Sequence, residues 1–246
     1  MNRFIACSFA AVVTASAAAT ALSMPAGAAA RPAHRTMPVI YDQSSAGYVS
    51  SGWRFRFVAA TLKVPAPQDI EGDNGPAGVS LSDGTHPAAL LVQTGGGAGS
   101  ITYDNGFGHG TVPLAPRAGN ILRVSVYHDQ AGDRDVFAVT NTSTGRTWTS
   151  PVATPAGIVY RQASETASLD NATAGAPLNA VRLWSFRSVQ VTSYRGIRGT
   201  VTGPWLTSEL IDTLDGTSGG QWELFPRAPW GNSDQNFTVW RPESPH

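Results

Sequence analysis

Cysteine is almost missing from this 246-residue chain, with Cys7 the only one. That excludes a disulfide framework, so the fold must be held by its core alone. Lysine is as rare: Lys63 is the only one among 17 basic residues, which balance 17 acidic ones. No run of like charge and no basic stretch occurs, which argues against nucleic acid as a partner. There is no heptad pattern and no repeat of fixed period. Glutamate is scarce, at Glu71, Glu165, Glu209, Glu223 and Glu243 only. His86, His109 and His128 lack paired ligand spacing, so no metal site is expected, and nothing in the chain implies a cofactor.

What is present begins with a leader. Met1-Asn2-Arg3 is a short positive start, Phe4 to Leu22 is apolar and alanine-rich, and Pro25 to Ala30 supplies small residues in an A-x-A pattern. Residues 1–30 therefore read as a secretory signal peptide and not as a membrane anchor, and the expected location is extracellular. Residues 31–43 read as a flexible N-terminal arm, 44–241 as one domain and 242–246 as a tail. A domain of that size can bury its own core and is read as a monomer.

Within the domain, strand signals recur every ten to fifteen residues between glycine and proline turns. Ile121 to His128 alternates Leu122, Val124 and Val126 against Arg123, Ser125 and Tyr127, and Asp135 to Asn141 is its expected antiparallel partner. Trp53 to Val64 places Trp53, Phe55 and Phe57 on one face and Arg54 and Arg56 on the other. Asp104 to Pro116 reads as a long loop, Val181 to Tyr194 as the longest strand and Phe237 to Arg241 as the last. Leu206 to Leu214 reads as a short helix. The pattern is that of an all-β antiparallel sandwich or barrel.

Two residues stand out for chemistry. Ala89-Leu90-Leu91-Val92 is a buried-strand run, and Gln93 ends it before a glycine-rich turn. Glu165 lies in Ser164-Glu165-Thr166-Ala167, among small residues in strand-like sequence. A glutamate can take a proton from water and later deliver it to a leaving amine. A glutamine N–H can donate to an oxyanion without carrying charge.

These stretches resemble the glutamic peptidases, the eqolisin or G1 family. Leu91-Val92-Gln93-Thr94-Gly95 is similar to the family's I-L-Q-T-G, which holds the catalytic glutamine. Ser164-Glu165-Thr166-Ala167 is set against its A-E-W-I-V-E, whose first glutamate is catalytic. Ser44 to Tyr48, Phe57 to Pro65, Asn141 to Gly145 and Phe237 to Trp240 follow further family segments in order. The resemblance implies a concanavalin A-like β-sandwich and a metal-independent, acid-active endopeptidase acting on polypeptide substrates, with Gln93 and Glu165 as the catalytic pair. It also carries departures. The family's W-V-G-I-D-G becomes Pro76-Ala77-Gly78-Val79-Ser80 with Asp83-Gly84 displaced, and the aromatic segment after the glutamine becomes Tyr103 to His109. These losses favour the alternative, a non-catalytic sandwich that binds glycan or protein.

Two other activities have partial signals in the sequence. Gly216-Thr217-Ser218-Gly219-Gly220 fits G-x-S-x-G, but no strand–turn–helix surrounds it and only His246 follows. A glycoside hydrolase needs a second carboxylate facing Glu165, and the sequence designates none. Asn141, Asn171 and Asn236 fit the N-glycosylation pattern.

Overall fold

The computed structural model describes residues 37–42, 45–65, 74–94, 98–169, 181–200, 203–213, 222–227 and 236–241. The segments read as leader and tail, most of the segment read as the arm, Gly216 to Gly220, and Asn171 lie outside the described residues. Met37–His246 form one compact unit.

Sixteen strands among the described residues make two sheets. The first carries β1 (Val39–Asp42), β2 (Ala46–Ser51), β4 (Asn74–Ser82), β5 (Pro87–Gln93), β6 (Ser100–Asp104), β7 (His109–Thr111), β11 (Gln162–Leu169) and β14 (Leu206–Thr213). The second carries β3 (Phe55–Lys63), β8 (Ile121–Asp129), β9 (Arg134–Asn141), β10 (Arg146–Ala153), β12 (Val181–Ser193), β13 (Arg198–Gly199) and β16 (Phe237–Arg241). The first sheet runs β14-β2-β11-β4-β5-β6-β7, and the second runs β10-β9-β8-β3-β12-β16. β15 (Trp222–Arg227) joins them, pairing β14 through Trp222 and Leu224 and β16 through Phe225 to Arg227. Among the described strands all pairings are antiparallel except β1 with β14. The expected sandwich is therefore present, with the one described helical element a single 3-10 turn at Gln130–Gly132.

Alternation sets the core. Val58, Ala60 and Leu62 of β3, Leu122, Val124 and Val126 of β8, and Val79, Leu81, Leu90 and Val92 of β4 and β5 are all buried between the sheets. Aromatic side chains close the gap. Phe186 stacks on Phe237 at 4.4 Å, and Tyr48 meets Phe237 edge-on at 4.8 Å. Such pairs add about 0.5–1.5 kcal/mol beyond their buried area. The Trp184 indole N–H donates across the sandwich to the Gly75 carbonyl at 3.3 Å.

Several sequence expectations are corrected. Leu206 to Thr213 is strand, because pairing with β2 and β-branched Thr207 and Ile211 override a weak helical pattern. Phe57 does not share a face with Phe55: a register shift between Thr192 and Ser193 on β12 leaves Phe55 in the core and turns Phe57 outward opposite Tyr127. The long loop contains β7, and the end of the arm is β1. Strand β11 begins at Gln162, and Tyr160 before it forms only an isolated bridge to Phe55.

Candidate functional site

The first sheet carries both candidate residues, and their placement follows from register. Glu165 pairs with Val79, and Val79 pairs with Leu90. Residues directly opposite in a ladder share a face, so Glu165, Val79 and Leu90 all point inward. Gln93 is three residues beyond Leu90 on the same strand and so points the other way. Burial agrees: Glu165 is 0% exposed, whereas Gln93 is exposed at the end of β5. The structure does not bring the pair together. It sets them on opposite faces of one sheet.

Glu165 is in an unusual state for a carboxyl. Neither oxygen has a hydrogen-bond partner. Burial alone pushes its pKa up to about 8, because low-dielectric surroundings disfavour the charged form. Its neighbour across β11 and β2 is Tyr48, and Tyr48 in turn pairs with Glu209. Glu209, half-buried, is also raised by desolvation. The ladder thus supplies the second carboxylate that the sequence did not designate. It lies two strands from Glu165, about 10 Å away at the backbone, with Tyr48 between them on the inward face.

The outward face of β2, β4, β5 and β11 mixes serine, threonine and glutamine with Val49, Ala89 and Leu91, and its described residues include no carboxylate. Ser164 and Ser80 are opposite each other there, and their hydroxyls are hydrogen-bonded at 2.7 Å. Beside them a row runs Gly47–Thr166–Gly78–Leu91. A Cβ at Gly47 would collide with the Glu165 carbonyl, and one at Gly78 with the Leu90 carbonyl. Gly47 also has φ +152°, which side-chain-bearing residues rarely adopt. Both glycines are buried against the neighbouring strands and Thr166 is half-buried between them, while exposed Gln93 lies two residues along β5 from Leu91. On this outward face Asp104 is four residues along β6 from Ser100, the partner of Gln93, a separation of about 13 Å.

The remaining polar residues are turn or core devices. Asp83 caps the β4–β5 turn, accepting from the Thr85 and His86 N–H groups at 2.7 Å each. Partial burial raises its pKa, but these hydrogen bonds and His86 outweigh that and hold it below the usual carboxylate range. Asn141 is buried and its side chain caps the β9–β10 turn, accepting from the N–H groups of Ser143 and Thr144. That position is closed to a glycan in the folded protein. Among the described residues, no group of three or more His, Cys, Asp or Glu is arranged to hold a metal ion.

Sequence reasoning missed one buried cluster. Asp135 (0% exposed) accepts from the Tyr160 hydroxyl at 2.8 Å and the Asn105 amide at 3.0 Å, and lies 2.9 Å from His128 Nδ1. Burial first, and the Asp135 charge second, hold the Tyr160 hydroxyl protonated. The signal was available: extending the Leu122–Val124–Val126 alternation places His128 inward, and its partner across the hairpin is Asp135.

No family model matches the chain, and no curated protein matches it. Solved structures do. Scytalido-glutamic peptidase with a peptide-based transition-state analogue is 16% identical with a TM-score of 0.59. The same enzyme with a transition-state analogue inhibitor is 15% identical, with a TM-score of 0.61. SCP-B, a member of the eqolisin family in complex with the tripeptide Ala-Ile-His, is 16% identical with a TM-score of 0.51. Each comparison covers 81% of this chain and 98% of the other. The chain thus has the β-sandwich fold of the glutamic peptidases, the fold its motifs had led one to expect.

Proposed function

We propose that this chain is an exported, divergent relative of the glutamic peptidases that holds an extended polypeptide on the outward face of the first sheet without cutting it through a Gln93–Glu165 pair. One observation carries this reading: Gln93 faces outward and Glu165 inward, so no water can touch both groups at once. With Ala163 set against the alanine of the family's A-E-W-I-V-E, Ser164 takes the glutamate's place, and it is Ser164 that shares Gln93's face. A serine hydrogen-bonded to Ser80 is no general base at the acidic pH the family resemblance implies. The Ser80, Ser164 and Thr166 hydroxyls and the Gln93 amide on this face suit an extended backbone that needs hydrogen-bond partners. Support for a polypeptide ligand comes from the structural neighbours, which are described with a peptide-based analogue and a tripeptide.

A second reading rests on the orphaned carboxyl. The inward set Ala163, Glu165 and Ala167 and the outward set Gln162, Ser164 and Thr166 are all small or polar. Register is weakly specified in such a strand, and a one-residue slip would exchange the two sets. The irregularity between Ala167 and Leu169 supplies a place for it. In the slipped register the chain would be a hydrolase.

One experiment separates the two. Fluorescent casein peptides are incubated with wild type, Glu165→Gln and Thr166→Arg from pH 3 to pH 8, reading binding by anisotropy and cleavage by mass spectrometry. The binding reading predicts no cleavage by any form, and a loss of affinity of roughly tenfold or more when Thr166→Arg puts a long charged side chain on that face. Cleavage by wild type that folded Glu165→Gln lacks would establish the slipped hydrolase. Absence of both binding and cleavage would refute both readings.

A further inference from the structure

The outer face of the second sheet gathers charges that are far apart in sequence. Arg187 of β12 pairs with Thr61 of β3, and Thr61 pairs with Arg123 of β8. The three share a face, so the two guanidinium-bearing residues are separated by two strand spacings, about 10 Å. Lys63 lies two residues beyond Thr61 on the same face. All three cations are exposed, and none has an ion-pair partner among the described residues. The carboxylate at the far end of β8, Asp129, is already held by Arg134 at 2.8 Å. Arg187 is followed by a bulge at Ser188, where φ is +50° and the N–H is fixed by the Asn236 side chain at 3.0 Å. Bulges of this kind re-aim a neighbouring side chain.

Hydroxyls and an amide stand around the cations, together with Ile121, which pairs with Lys63 and is 40% exposed. Ser125, Thr140, Thr147, Thr149 and Gln190 occupy outward positions in the adjoining rows. Four residues along β3 from Thr61, about 13 Å away, Phe57 lies opposite Tyr127, which is 38% exposed. An aromatic ring presented beside hydrogen-bonding groups offers an apolar platform with a polar rim.

From this arrangement we infer a binding site for an acidic polysaccharide, a chain of uronate sugars, running along β3 from the Phe57–Tyr127 pair to the Lys63–Arg123–Arg187 triangle. The charges complement carboxylates, with the arginines able to grip them in paired hydrogen bonds. The hydroxyls and the Gln190 amide match sugar hydroxyl groups, and the aromatic pair receives a sugar face. A nucleic acid would use the charges but not the hydroxyl surface, and it is the rival the test must exclude. This inference is independent of the first sheet and of any peptidase chemistry.

The test is affinity electrophoresis and calorimetry of the full chain with polygalacturonate at low ionic strength, with neutral dextran and single-stranded DNA as comparison ligands. The expected result is binding of polygalacturonate that weakens with salt, no binding of dextran, and weaker binding of DNA. Lys63→Gln/Arg123→Gln/Arg187→Gln is expected to lose roughly tenfold to a hundredfold in affinity, since each exposed charge contributes modestly. Tyr127→Ala is expected to lose several-fold more than any one charge variant does at high salt, where screening leaves the stacking contact. These side chains are exposed, and circular dichroism confirms that each variant folds. The inference is overturned if polygalacturonate is not bound, if the triple variant binds it like wild type, or if DNA binds as tightly and Tyr127→Ala changes nothing.

Discussion

Raising the pH from 5 to 9 is expected to cost the fold about 4 kcal/mol through Glu165 alone, because its carboxyl passes from a pKa of 4.5 in the open chain to about 8 when buried. For an acid whose folded pKa is raised, the native state holds the extra proton between the two values. Stability is therefore fully present below about pH 4.5 and drains away as pH rises through 8. Glu209, raised by the same cause, adds to the loss in the same direction. Replacing Glu165 with Met keeps the volume and removes the titrating group. Urea unfolding at pH 5, 7 and 9 should show a steep decline for wild type and a much flatter one for Glu165→Met, with the variant the more stable at pH 9. Parallel declines in the two proteins would mean that Glu165 is not buried as described.

Truncating Asp135 to Ala is expected to destabilise the protein by about 3–5 kcal/mol, since each buried polar group left without its acceptor costs about 1–3 kcal/mol. Its carboxylate receives groups from three separate segments: Asn105 after β6, His128 on β8 and Tyr160 before β11. Without it, the Tyr160 hydroxyl and His128 Nδ1 lose their partner in a site where His128 is 2% exposed, and the Asn105 amide keeps only the Ala153 carbonyl. Tyr160→Phe removes only one donor and should cost about 1–2 kcal/mol. Chemical denaturation of both variants at pH 7 gives the comparison. A loss below about 1 kcal/mol for Asp135→Ala would show the cluster to be incidental.

The two candidate residues show where sequence reading succeeds and where it stops. Gln93 could be placed because Leu90 and Val92 fix the parity of β5, leaving position 93 to face outward at the strand's end. Strand β11 offers no such anchor. Its inward residues Ala163 and Ala167 are hardly more apolar than outward Thr166, so matching letters around Glu165 says nothing about which face it takes. The β8–β9 hairpin was legible for the opposite reason, since Leu122, Val124, Val126, Phe137 and Val139 all bury on one side. The cation triangle on the second sheet could not be read at all. Lys63, Arg123 and Arg187 look like isolated charges along the chain, and only the pairing of β3 with β8 and β12 makes them neighbours. Leu206 to Leu214 reads as helix in the sequence because a short amphipathic stretch fits either period until its partner strand is known.

The most direct test of the account is a face-by-face thiol map of the first sheet. In a Cys7→Ser background the chain has no cysteine, so a single thiol can be placed at position 93, 164 or 165 and its labelling rate measured in native buffer and in denaturant. The account predicts rapid native labelling for Gln93→Cys, measurable labelling for Ser164→Cys, and labelling of Glu165→Cys only when the protein unfolds. Rapid native labelling of Glu165→Cys with protection of Ser164→Cys would contradict it, and would place the glutamate beside Gln93 on the outward face.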